Sequence, residues 1–151
     1  MSAAKIWTIG YEQSTLPSVI SALSNAGVEV LVDVRALPLS RRPGFSKTAL
    51  AGAMAEAGIA YRHMKALGTP PDGRAAARAG RRAELAEIYA GQLELPEAMA
   101  AAAELAELAR AKRVALLCYE RDAAACHRTL LREAMLPGFE PVDLVPAEPA
   151  A

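Results

Sequence analysis

A chain of 151 residues, 53% apolar, with 17 Lys+Arg set against 17 Asp+Glu, has the size and composition of a single folded unit with one hydrophobic core. That composition excludes a disordered chain, and zero net charge excludes a basic nucleic-acid footprint spread over the whole surface, though not a local basic patch. No apolar run approaches the roughly 20 residues needed to cross a bilayer, and MSAAKIWTIG lacks the apolar stretch and cleavage site of a signal peptide, so a cytoplasmic protein without a membrane partner is expected.

The first predicted element is a short apolar strand from Lys5 to Ile9, with Trp7 in the core and Gly10 at the turn. Ser14 or Thr15 caps the next helix, Pro17 is tolerated in its first turn, and Gly27 supplies a left-handed stop. Val28 to Val34 (VEVLVDV) is nearly continuous in apolar character, which favours a parallel strand covered on both faces. A loop from Ala36 to Phe45 carries Ser40, Arg41 and Arg42, and Ser46 caps a helix that ends at Gly58. Ile59 to His63 reads as a third strand, and Leu67 to Gly80, with GTPPDG, as a long mobile loop. Helices are predicted from Arg81 to Ala90 and from Pro96 to Ala111, then a strand from Val114 to Cys118. A charged loop, a helix from Cys126 to Met135 and a last strand from Phe139 to Val145 complete the pattern.

This alternation predicts an α/β fold, a three-layer Rossmann-like sandwich with a mainly parallel sheet of about five strands. Residues 1–146 read as one domain and 147–151 as a frayed tail. Ligands in such sheets gather beyond the carboxyl ends of the strands. If the strands run parallel, Tyr11 and Glu12, Asp33 and Arg35, His63 and Lys65, and Cys118 and Glu120 all arrive at one edge.

The chemistry is concentrated in VALLCYERDAAACHRTLL, Val114 to Leu131. A thiol at a helix start beside Arg128 is a candidate thiolate, and the same field leaves His127 neutral and suited to base work. The alternative is that Cys126 simply packs on one helix face with Leu130 and Ala134 while His127 and Arg128 bond nearby carbonyls, and burial is the ordinary reading of Cys118 at the end of an apolar strand. The two cysteines pair as a disulfide only if their Cα atoms come within about 7 Å. Metal binding by Cys118, Cys126 and His127 is disfavoured, because the spacing matches no standard zinc pattern and adjacent Cys126 and His127 do not readily face one tetrahedral ion. Asp33 and Arg35 alternate along a strand, so they either pair with each other or serve as a positioning carboxylate and an anion clamp. Glu12 and Glu120 are candidate acid/base groups only when close to a polarised substrate atom. Arg41, Arg42 and Lys47 make a cationic loop beside Gly44, and neither standard nucleotide fingerprint, GxxxxGK[ST] or GxGxxG, is present.

Four blocks in order, TIGYEQSTL at Thr8–Leu16, LVDVRALPLSRRPGFSK at Leu31–Lys47, AGIAYRHMKALGTP at Ala57–Pro70 and ALLCYERDAAACHR at Ala115–Arg128, resemble the Domain of Unknown Function 488 family. The resemblance implies a small prokaryotic α/β protein whose signature residues cluster in one pocket. The matching positions are Gly10, Tyr11 and Glu12, then Asp33, Arg35, Pro38, Ser40, Arg42 and Phe45, then Cys118, Glu120, Cys126, His127 and Arg128. The family's first block often has His-Ser where this chain has Tyr11-Glu12. No reaction comes with the family.

Three functional readings follow. The first is a thiol-dependent enzyme on a small anionic or nucleotide-like substrate. In it Cys126 is the nucleophile or redox thiol and His127 or Glu120 the proton-transfer group, with Asp33 and Cys118 as further catalytic residues. Tyr11, Glu12, Arg35, Ser40, Arg42, Lys47 and Arg128 would hold the anion, and no metal or other cofactor is expected. The second is a non-catalytic module for nucleotides or nucleic acid, motivated by Arg41, Arg42, Arg74, Arg78, Arg81 and Arg82. The third is a redox sensor built on Cys118 and Cys126. Cys126 and Arg128 stand too close together for a cysteine phosphatase loop.

Overall fold

The computed structural model of the chain describes residues 4–147. Five strands, β1 (Lys5–Gly10), β2 (Val30–Asp33), β3 (Ala60–His63), β4 (Val114–Cys118) and β5 (Glu140–Leu144), form one sheet in the order β3-β2-β4-β1-β5. Every neighbouring pair is parallel. The helices are α1 (Leu16–Asn25), α2 (Lys47–Glu56), α3 (Pro71–Arg78), α4 (Arg82–Leu93), α5 (Pro96–Ala111) and α6 (His127–Met135). The expected three-layer α/β architecture is therefore present.

Alternation along the buried strands separates two cores. Ile9, Leu31 and Leu117 face one way and pack against Val19 and Leu23 of α1 and Leu50 and Met54 of α2. Ile6, Val32 and Leu116 face the other way and meet Tyr89 and Leu93 of α4, Leu105 of α5 and Leu131 of α6. Burying a side chain of this size contributes about 1.5–3 kcal/mol, so both layers are held chiefly by apolar burial. After β1 and β2 the chain leaves to the α1–α2 layer, but after β4 it leaves to the α6 layer. The carboxyl ends of β1, β2 and β4 thus flank a topological switch point, where open α/β sheets form a crevice.

Local signals explain most boundaries. Thr15 caps α1, its Oγ1 accepting from the Ser18 amide at 3.2 Å. Gly27 and Gly58 end their helices with φ of 74° and 76°. Ser46 precedes α2 without capping it, because its hydroxyl is spent on Ser40, accepting from that residue's amide and donating to its carbonyl. Trp7, expected in the core, is only partly buried beside the α1–α2 layer.

One expected element is overturned. Leu67 to Gly80 is not a long loop, since a 3₁₀ turn at Lys65–Leu67 is followed by α3. Pro71 sits in the first turn, where its missing amide is not needed, Asp72 complements the helix dipole, and Ala76 is buried. The expected tail at 147–151 lies, from residue 148 on, outside the described residues. Among the described residues, no helix is long and apolar enough to cross a membrane.

Candidate functional site

Two buried polar assemblies meet at the carboxyl edge of the sheet. The first lies on the α1–α2 side. Arg35 grips Asp33 through both carboxylate oxygens, Nε to Oδ1 at 2.8 Å and Nη2 to Oδ2 at 2.7 Å. Its Nη1 donates to Tyr11 Oη at 3.0 Å and to the Phe45 carbonyl at 2.7 Å. Tyr61 Oη donates to Asp33 Oδ2, and Tyr11 stacks on Phe45 with ring centroids 4.5 Å apart. Burial opposes the charge on Arg35, but the bonded Asp33 carboxylate outweighs it and raises its pKa above the ordinary guanidinium value. Burial, then Asp33, raises the Tyr61 hydroxyl. Asp33 and Arg35 are 0% and 6% exposed, so this pair is committed to itself and organises the floor of the site.

The second assembly surrounds the end of β4. Gly10 must be glycine, because a Cβ there would stand 1.7 Å from the Glu120 carbonyl oxygen. That close approach lets the Tyr11 and Glu12 amides donate to the Cys118 and Tyr119 carbonyls, while Glu12 Oε1 accepts from the Arg121 amide at 3.0 Å. Glu12 is thereby a brace of the β4–α6 loop. Cys118 and Cys126 are joined by a disulfide, with Cα atoms 7.3 Å apart, slightly beyond the separation of about 7 Å expected for a bridge. Arg128 is fully buried; its Nη1 donates to Cys118 Sγ at 2.9 Å and to the Glu120 carbonyl at 2.6 Å.

His127 Nε2 lies 2.7 Å from the Val34 carbonyl oxygen, which can only accept, so Nε2 carries the proton and Nδ1 the lone pair. Nδ1 is 3.7 Å from Cys126 Sγ. The ring packs edge-on against Tyr89, and burial, reinforced by the Arg128 charge, pushes its pKa down from 6.5 to about 4. Burial raises the Glu120 carboxyl, and Glu120 Oε2 lies 3.6 Å from Cys118 Sγ. The ligand atoms of Cys118, Cys126 and His127 all lie within 4.8 Å of one another. Adjacency of Cys126 and His127 does not separate them, because Cys126 is an extended cap residue (φ −119°, ψ 149°) and His127 opens the helix.

Between the assemblies lies a cavity of about 490 Å³. Tyr11, Ser40, Arg42, Cys118, Glu120 and His127, all expected at the site, line it, and Arg35 reaches its floor. Glu12, Asp33, Lys47, Cys126 and Arg128 do not line it. Asp33, Cys126 and Arg128 stand behind it, buried, and Lys47 is exposed at the start of α2. His63 Nε2 lies 2.7 Å from the Arg35 carbonyl and buttresses the Arg35 backbone.

The far wall was not legible as such. Arg74 and Arg78, four residues apart on one face of α3, line the cavity with Ala77. Together with Arg41 and Arg42 they bring four guanidinium groups to it. None of the four has a carboxylate partner among the described residues. Arg42 Nε donates to the Ser14 carbonyl and Arg74 Nη1 to the Thr69 carbonyl. The spacing of Arg74 and Arg78 was the available signal, hidden by the turn-like composition of GTPPDG just before it.

Fold and site together define an α/β protein with a cysteine-bearing crevice at the carboxyl ends of its parallel strands. The chain belongs to the family described as Domain of unknown function DUF488, whose family model matches residues 15–135. That stretch takes in both cysteines, His127 and all five arginines that line the cavity, though only the end of the Thr8–Leu16 block. No curated protein and no solved structure matches the chain.

Proposed function

We propose that the cavity binds a small organic anion, phosphate-bearing or nucleotide-like, and that the cysteine pair beside it gives the protein thiol chemistry on that ligand. The supporting observation is a local charge imbalance in a chain of zero net charge. Among the described residues, Arg41, Arg42, Arg74 and Arg78 line the cavity without an acidic partner, and Glu120 is the one carboxylate in its lining. Unpaired guanidinium groups around a concave site favour bidentate capture of phosphate or carboxylate. Leu37, Leu39 and Tyr119, all substantially exposed at the rim, suit an apolar or aromatic body attached to that anion. In this reading Arg42, Ser40 and Tyr11 belong to the grip, whereas Arg35 and Arg128 hold the walls. His127 Nδ1 is the available proton acceptor, and Glu120, raised by burial, is the available donor.

The test is a thermal-shift series with phosphate, pyrophosphate, nucleoside phosphates and a short single-stranded oligonucleotide, on the wild type and on the Arg74→Ala/Arg78→Ala variant. A salt-sensitive stabilisation by a small anion that is lost in the variant supports the reading. A shift with the oligonucleotide alone would favour a nucleic-acid module, and the absence of any shift would remove the anion pocket.

A second reading, a thiol–disulfide sensor, is favoured by the Cys118–Cys126 bridge itself. It predicts that the bridge opens and closes with the redox poise while no anion in the series binds.

A further inference from the structure

We propose that, once the bridge is reduced, Cys118, Cys126 and His127 form a mononuclear site for a soft or borderline divalent cation of the zinc class. The ion would take the same sulfurs and His127 Nδ1 that the proposed thiol chemistry uses, but it needs no anion in the cavity. The inference rests on the donor set, its geometry and the hydrogen bonds behind it.

The donors are two sulfurs and one imidazole nitrogen within 4.8 Å of one another, all three residues buried. A tetrahedral zinc ion with Zn–S of about 2.3 Å and Zn–N of about 2.0–2.1 Å places its ligand atoms roughly 3.5–3.8 Å apart. Cys126 Sγ and His127 Nδ1 are already at 3.7 Å. The Cα separation of 7.3 Å leaves room for the two sulfurs to move apart onto one ion. An all-oxygen cation such as magnesium or calcium has no matching donors in this set.

The surroundings are those of a ligand set rather than of a chance cluster. His127 gives its Nε2 proton to the Val34 carbonyl, which fixes the tautomer with Nδ1 free toward Cys126. Metal-bound histidines are generally oriented through such a bond from the second ring nitrogen. Tyr89 holds the ring edge-on at 5.2 Å. Arg128 Nη1, 2.9 Å from Cys118 Sγ, stabilises that sulfur as a thiolate. Two thiolates balance a divalent ion, so the Arg128 charge does not face a net positive centre. Three protein ligands leave a tetrahedral ion one open position, and Cys118 and His127 also line the cavity.

The chemistry balances with a dithiol reductant. That reductant delivers two electrons and two protons to the Cys118–Cys126 bridge, leaving two thiols and its own disulfide. Zinc then displaces the two thiol protons to solvent as both Zn–S bonds form. Bridge and metal are mutually exclusive occupants of the same sulfurs.

The experiment uses the full chain, reduced under argon and stripped with a chelator that is then removed. Cobalt(II), as a spectroscopic probe, and zinc are titrated in separate runs. One equivalent per chain is expected to bind, with a thiolate-to-cobalt charge-transfer band that zinc abolishes. Zinc should block alkylation of both cysteines, read by intact mass. Cys126→Ser should lose the band, His127→Gln should weaken binding at least about 10-fold, and Arg74→Ala should bind unchanged. No stoichiometric uptake by the reduced wild type, free alkylation in the presence of zinc, or a band that survives in Cys126→Ser would each overturn the site. The alkylation arm needs no variant, so the result stands even where Cys126→Ser does not fold. Metal uptake in the absence of any anion, kept in Arg74→Ala, is read separately from the fate of the anion pocket.

Discussion

Arg35 holds Asp33 in a two-point clasp, Nε on one carboxylate oxygen at 2.8 Å and Nη2 on the other at 2.7 Å, with both side chains removed from solvent. Such a pair is not a large net source of stability, because desolvating two charges offsets most of their attraction. Breaking it from one side is another matter. Asp33→Ala strands the Arg35 guanidinium and deprives Tyr61 of its acceptor. A loss of about 3–5 kcal/mol in unfolding free energy is expected, measured by denaturant titration. Arg35→Lys should also destabilise, since an ammonium cannot reproduce the fork that reaches Asp33, Tyr11 and Phe45 together. An Asp33→Ala variant within about 1 kcal/mol of wild type would show that the clasp is not closed in solution.

Two glycines give opposite expectations from the same substitution. At Gly10 an added methyl group would collide with the Glu120 carbonyl and force apart the end of β1 and the β4–α6 loop. Gly10→Ala should cost at least about 1–3 kcal/mol and disturb the cavity with it. At Gly52, inside α2, an added methyl group would meet nothing within 4 Å. Gly52→Ala should therefore stabilise by about 0.5–1 kcal/mol through helix propensity. Paired melting curves test both signs in one experiment.

His127 sets an acid limit on the bridged, metal-free chain. Burial lowers its pKa from 6.5 to about 4, with the Arg128 charge adding to the effect and the Val34 carbonyl opposing it. The unfolded chain takes up this proton below about 6.5, while the folded chain resists until about 4. In that window the unfolded state binds more protons, so stability rises with pH; the contribution is complete above the unfolded value and is lost as pH falls toward the folded one. The loss is roughly 3 kcal/mol at most. Glu120, whose carboxyl is raised by burial, works in the opposite direction near the lower end of the window. The difference between wild type and His127→Gln across that range isolates the histidine. Parallel stability curves for the two would exclude a neutral buried imidazole.

Much of this arrangement was legible in the residues, and the illegible part has a physical cause. Runs such as Val30–Asp33 and Val114–Cys118 are buried throughout and, Asp33 apart, almost wholly apolar because both faces of a parallel strand are covered, and they were readable for that reason. The convergence of Tyr11, Arg35, Cys118 and Glu120 on one edge follows from parallel strands alone. Strand order is different: β4 inserts between β2 and β1 through crossovers that leave no local mark in the sequence. The α3 helix was hidden by Pro70-Pro71-Asp72-Gly73, a run that favours a turn until the first proline is placed outside the helix and the second in its first turn. For Arg35 and Arg128 the sequence offered both an anion-gripping and a structural role, and the structure takes the structural one, because a guanidinium that grips a ligand and one that grips a carboxylate or a loop carbonyl look alike until the partner is seen.

Opening the disulfide should loosen the β4–α6 loop. The bridge spans a sequence separation of 8, and closing a loop of that size restricts the unfolded chain by about 2.5 kcal/mol in the chain-entropy account. In the presence of a chelator, a dithiol reductant is expected to lower the unfolding free energy by about 2 kcal/mol and to leave the Cys118→Ser/Cys126→Ser double variant unaffected. A denaturant midpoint that does not move with reductant in the wild type would mean that the bridge is not closed in solution.

With an anion bound in the cavity as proposed, the rim would set which kind of anion the arginines hold. Tyr119 is 46% exposed and meets Tyr11 edge-to-face at a centroid distance of 5.4 Å, while Leu37 and Leu39 are 53% and 72% exposed. Exposed apolar side chains beside the arginines offer a stacking surface to a ring carried by the anion, and Tyr119 is already held in place by its contact with Tyr11. Tyr119→Ala should therefore weaken a nucleotide-like anion by about 1–3 kcal/mol, the range of base–aromatic stacking, and leave inorganic phosphate or pyrophosphate unchanged. Arg78→Ala should weaken both kinds of ligand, and the affinity of both should fall with salt. Calorimetric titration of the two variants with one aromatic and one inorganic anion separates the terms. Equal losses for both anions in Tyr119→Ala would show that the tyrosine shapes the wall rather than stacking on the ligand, and would leave the arginines as the sole source of selectivity.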